Sequence, residues 1–152
     1  GGNLSTPAAG QRPAFLVYAM RDPDGPNLDR IQVVKGWLGK DGKSQERIFD
    51  VAVSGGRKIG ADGRCNTLVG STVDVANATY TNTIGAAMLS AYWKDPTFDA
   101  SQRAFYYVRV IQIPSPRWTA YDQKRFGIKM PDYVPMTVTD RAYTSPIWYS
   151  PS

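Results

Sequence analysis

The feature that most narrows what this chain can fold into is the run at residues 104–113, rich in β-branched and aromatic side chains and cut off by Pro114 and Pro116. Such side chains suit a pleated, half-buried surface, and proline removes the backbone donor that a ladder needs. A strand is expected there, ending at the prolines. The same pattern of short runs divided by turn residues recurs along the chain. Residues 14–20 form a continuous apolar run closed by Asp22, Pro23, Asp24, Gly25 and Pro26, which predicts a short strand covered on both faces. Residues 28–38 alternate through Ile31, Val33 and Trp37, and Gly39 to Gly42 supply hairpin chemistry before a second strand at 45–53. In that second strand Arg47, Phe49, Val51 and Val53 are expected on one face, with Glu46, Ile48, Asp50 and Ala52 on the other.

A glycine-rich stretch at 54–70 reads as a long loop, since it carries neither GxGxxG nor GxxxxGK[ST] spacing. Residues 71–80 read as a strand. Residues 85–93 contain helix-favouring Ala, Met and Leu, but the run is only nine residues long, and length and neighbours favour a strand. Residues 119–126 are expected to form one short helix, and 143–149 a final edge strand. Residues 1–12 lack periodicity and read as a linker or extended arm, leaving 13–152 as a single domain. Six or seven short strands with turn-rich connections predict a mainly β chain. The expected fold is an antiparallel two-sheet β-sandwich, immunoglobulin- or fibronectin-like, with long loops.

Composition removes several chemistries. The 152 residues contain no histidine, so a Ser-His-Asp triad, a Cys-His dyad, a histidine-ligated metal site and a histidine proton shuttle cannot be assembled from this chain. Cys65 is the single cysteine and has no partner for an internal disulfide. The acidic residues are scattered singly, without the spacing of a calcium loop. No catalytic residue, metal ligand or cofactor is therefore expected on this chain. Apolar runs fall short of the roughly 20 residues needed to cross a bilayer.

Charge is uneven. Residues 101–130 hold six basic side chains against Asp122 alone, which accounts for the whole net charge of +5. Within this segment Arg117, Trp118, Tyr121, Lys124 and Arg125 are the candidate interface or anion-contacting residues. Guanidinium forks match phosphate or sulfate oxygens, and an indole offers a flat stacking surface. Two readings stay open: the aromatics pack a loop onto the sandwich, or the group projects from a proline-stiffened loop toward a partner. Nucleic acid is disfavoured as that partner, because +5 is modest and no recognition motif accompanies it. A stand-alone carbohydrate-binding module is the alternative, with Trp and Tyr platforms on a sandwich stacking against sugar rings.

Several ordered strings carry a family resemblance: residues 28–37, 47–51, 82–85, 95–99, 102–110, 113–122 and 141–149. Together they make the chain resemble the carboxyl-terminal portion of the bacterial family known as domain of unknown function 3604. Longer members resemble, in their amino-terminal portion, metal-dependent hydrolases of the polymerase-and-histidinol-phosphatase type, which hold metal through clustered His, Asp and Glu. A chain without histidine departs from that pattern, so the resemblance transfers no catalytic residue to any position here. What it implies is a non-catalytic accessory domain of a larger hydrolase of phosphoesterase type. Its partner would be the amino-terminal catalytic domain of the same parent, whose active-site entrance it could line. It also implies a bacterial source and leaves an extracytoplasmic parent open.

Overall fold

In the computed structural model, residues 1–8 and 10–151 are described; Ala9, within the expected arm, and Ser152 lie outside the described residues. The two runs with the strongest strand signals lie side by side at the centre. β3 (Leu28–Leu38) is flanked by β4 (Ser44–Val53) and by β6 (Ala104–Gln112), both antiparallel to it. Beyond β6 come β10 (Ile147–Tyr149) and then β1 (Gly2–Leu4), while β9 (Arg141–Tyr143) also pairs with β6. The expected hairpin between β3 and β4 forms, its turn closed by Gly39 N–H on Lys43 O at 2.9 Å with Gly42 at φ +74°.

A two-stranded antiparallel ribbon of β2 (Ala14–Met20) and β5 (Met88–Lys94) lies over one face of this sheet. Between the layers sit Phe15 and Val17 from β2, Ile31 and Val33 from β3, Ala104 and Tyr106 from β6, and Tyr149 from β10. Each buried side chain of this size contributes about 1.5–3 kcal/mol. Phe15 meets Tyr106 with ring centroids 4.9 Å apart, and Phe49 meets Trp93 at 5.0 Å. The fold is a mainly β, mainly antiparallel sandwich, as the alternation predicts.

Four expectations change in detail. β2 is not covered on both faces: Phe15 and Val17 are buried, whereas Leu16, Tyr18 and Met20 point outward and are mostly exposed. Residues 71–80 do not form a strand, because Asp74 accepts from Asn77 N and Nδ2, at 3.1 and 2.7 Å, and closes a turn bridged only at Asp74 and Thr79. In β4 the alternation breaks where Asp50 pairs with Gln32 but Ala52 with Ile31. This bulge at Val51 brings Ala52 to the core side. The last strand is not an edge, since β1 from the amino-terminal arm pairs parallel with β10. The short helix expected at 119–126 forms as α1 (Trp118–Phe126), starting one residue earlier.

α1 is bounded by local chemistry. Pro116 precedes its extended N-cap residue Arg117, Lys124 and Arg125 lie in the last turn where cations complement the helix dipole, and Gly127 at φ +63° supplies a left-handed C-cap. Ala120 is fully buried, and Thr119 Oγ1 donates to Pro135 O at 2.6 Å, so one flank of the helix is fixed to the body. β7 (Ser115–Pro116) and β8 (Thr137–Val138) pair beside it.

Candidate functional site

Four of the five sequence-predicted residues lie on α1, and the fifth, Arg117, is its N-cap. At about 100° per residue, Arg117, Trp118, Tyr121, Lys124 and Arg125 fall within one third of the helix circumference, on the side opposite Thr119. Trp118 is 60 % exposed and Tyr121 50 %, so neither packs a loop onto the sandwich. Arg117 lies over the Trp118 ring, and Arg125 over that of Phe126, each 5.7 Å from the centroid. Lys124 Nζ donates to Asn77 O at 2.8 Å, tying α1 to the 75–78 turn. Among the described residues none of these three cations forms an ion pair. Lys124 also helps hold the Asp74 carboxyl below its usual pKa, after the bonds from Asn77, so the arc is a cationic, aromatic surface whose freest charges are Arg117 and Arg125.

A second exposed surface was not singled out by the sequence. On the outer side of the ribbon, Leu16 stands opposite Tyr92 and Met20 opposite Met88, with Tyr18 between them. Each of these five side chains is more than half exposed, Leu16 by 82 %. Two adjacent strands therefore present one continuous apolar face, the kind that marks an interaction site when it is not scattered. The ribbon and α1 meet one end of the molecule. Arg21 N, just after β2, bonds Ala87 O, and Asn27 N bonds Asn82 Oδ1 at 2.7 Å, in the same loop system that holds Lys124.

The acids and cations of the interior are committed to structure. Asp95, fully buried, accepts from Lys35 Nζ at 2.6 Å and Tyr106 OH at 2.8 Å through Oδ2, and from Thr97 N at 2.8 Å through Oδ1. Below the glycine-rich loop, Asp50 accepts from Arg30 Nη1 (3.1 Å), Gln32 Nε2 (2.7 Å) and Cys65 N (2.7 Å). Arg57 bonds Asp29, and Arg30 Nε reaches the same carboxylate at 3.0 Å. Burial works against the charge of Arg30, but Asp29 and Asp50 outweigh it and raise its pKa. Among the described residues no group of three or more His, Cys, Asp or Glu side chains is placed to hold a metal ion, and no helix is long and apolar enough to cross a membrane.

Tyr106 gives this interior a pH signature. Burial first, and the bond to Asp95 second, push its phenol pKa upward. A folded-state pKa above the unfolded value, about 10, means that the contribution to stability is complete below that pH and is lost as pH rises toward the folded value. Thermal unfolding followed from about pH 8 to 11 is expected to show falling stability above pH 10. In Tyr106→Phe that alkaline limb should be visibly flatter; an equally steep limb would assign it elsewhere.

The far face of the large sheet carries a third pattern. Direct pairing places Glu46, Gly36, Phe105, Trp148 and Asn3 in one row across β4, β3, β6, β10 and β1. Four rings run along this face: Trp148 to Phe105 at 5.3 Å, Phe105 to Tyr107 at 6.4 Å, and Tyr107 to Tyr143 at 6.2 Å. The one legible signal for it was Gly36 inside a strand, since an interior glycine marks a close approach. A Cβ there would lie 2.4 Å from the Phe105 ring.

No curated protein and no solved structure matches the chain. The family model described as "Protein of unknown function (DUF3604)" matches residues 1–151, and the chain belongs to that family.

Proposed function

We propose that this chain is a non-catalytic accessory domain of a larger metal-dependent hydrolase, seated on the catalytic part of the same parent. The observation that carries this reading is the bare outer face of the β2–β5 ribbon. The continuous apolar run at 14–20 is what a strand covered on both faces requires, yet only one face is covered within this chain. A partner domain laid on Leu16, Tyr18, Met20, Met88 and Tyr92 supplies the second cover. At the same end, the α1 arc offers Arg117, Lys124 and Arg125 with Trp118 and Tyr121, a donor set suited to an anionic substrate at the entrance of a phosphoesterase-like site.

Two measurements on a full-length parent test this. Leu16→Asp with Tyr92→Asp is expected to free the domain, read as new proteolytic cleavage between the two parts while this domain keeps its melting transition. Arg117→Ala with Trp118→Ala is expected to lower kcat/KM for phosphoester hydrolysis roughly 10- to 100-fold, the scale of lost hydrogen bonds to a charged group. Unchanged kinetics in a folded variant would reject the active-site role of α1, and unchanged cleavage would reject the docking face.

A further inference from the structure

We infer that the far face of the large sheet is a sugar-binding site, centred on Phe105 and Trp148 and independent of the accessory role of the ribbon and α1. The two regions are separated by the fold. The ribbon covers the opposite face of the sheet, and α1 follows the carboxyl end of β6, whereas Phe105 lies at the amino end of that strand.

The site is built from cross-strand pairing. Because Gly36 has no side chain, the Phe105 ring occupies the space that a Cβ would fill there. Trp148, half exposed and tilted 48° to it, forms the adjoining wall. Both line a cavity of about 610 Å³, within the range of small-ligand sites. Around these rings stand Gln45, Glu46, Arg103 and Ser150, all exposed. Among the described residues Glu46 and Arg103 form no ion pair, although they lie along the same cavity.

This combination selects its ligand. A phosphate or sulfate alone would be repelled by Glu46, and a purely apolar ligand would leave the rim carboxylate and guanidinium desolvated without partners. A pyranose ring satisfies both demands. Its C–H face stacks on an aromatic ring, while its edge hydroxyls both donate and accept, meeting a carboxylate on one side and amide or guanidinium donors on the other. The strip continues through Tyr107 to Tyr143, so the platform extends beyond one ring toward a chain of linked sugars. Its polar end is Arg109, whose Nε donates to Gln32 Oε1 at 2.8 Å.

The test is calorimetric titration of the 152-residue protein with neutral and uronic-acid oligosaccharides, with nucleoside monophosphates as a second set. Saturable binding of an oligosaccharide is expected. Trp148→Ala should weaken it about tenfold or more, the scale of one lost stacking contact, and Glu46→Gln should weaken it less. Trp118→Ala on α1 should leave it unchanged, which separates this site from the proposed docking surfaces. Melting curves verify that each variant is folded. No heat with any oligosaccharide, binding indifferent to Trp148→Ala, or binding of nucleotides in place of sugars would each overturn the inference.

Discussion

Asp95→Asn is expected to destabilise the protein by about 3–5 kcal/mol, the cost of leaving a buried charge without its partner. Asp95 is fully buried and Lys35 is 3 % exposed, so neither can turn to water when the other is lost. The substitution keeps the shape but removes the negative charge 2.6 Å from Lys35 Nζ. It also sets an amide where Oδ2 had accepted from Tyr106 OH. For a chain of this length the loss corresponds to a fall in Tm of roughly 10 °C, at 2–4 °C per kcal/mol. Adding Lys35→Met should restore part of it, because an apolar side chain in place of an orphaned ammonium removes the desolvation cost. A single variant that melts within a degree or two of the parent protein would show that the pair contributes nothing.

Asp50→Ala should have an effect of similar size by a different route. Its carboxylate is completely shielded and joins β3 to the glycine-rich loop, taking bonds from Arg30, Gln32 and Cys65 N, with Arg64 Nε at 3.4 Å. Removing it leaves Arg30, 10 % exposed at its side chain, with Asp29 as its one carboxylate, and takes away the acceptor of the Cys65 amide. A loss of about 3–5 kcal/mol is expected from breaking such a buried pair. The 54–70 loop should release with it, read as rapid exchange of the Cys65 amide and early proteolysis within the loop. Tight retention of that amide in Asp50→Ala would mean that the remaining bonds, Asp50 N to Gly63 O at 2.8 Å and Arg30 Nη1 to Cys65 O at 3.0 Å among them, hold the loop without the carboxylate.

The elements were legible where the signal is local. Residues 104–113 read as a strand because proline terminates a ladder and aromatic and β-branched side chains fit a pleat; β6 ends at Gln112, one residue earlier. The β3–β4 hairpin was legible from its Gly-Lys-Asp-Gly turn. The five candidates after Pro116, grouped in the sequence by charge and aromatic content, lie together at α1 and its N-cap. Their arrangement on one arc follows from helical geometry once α1 forms. The 71–80 segment misled because Val73 and Val75 carry strand propensity, while the closing of the turn depends on one carboxylate bonding an Asn three residues ahead.

What the sequence by itself determined is the class of fold and the exclusion of imidazole chemistry, since both depend on residue type and on spacings of two to ten positions. What only the tertiary structure decided is which distant residues meet. Lys35 finds Asp95, Gly36 makes room for Phe105, Ala52 crosses to the core at a bulge, and one face of β2 is left bare. The reason is register: a slip of one residue between strands would exchange the two faces of the sheet, and that choice is made by packing across the whole chain.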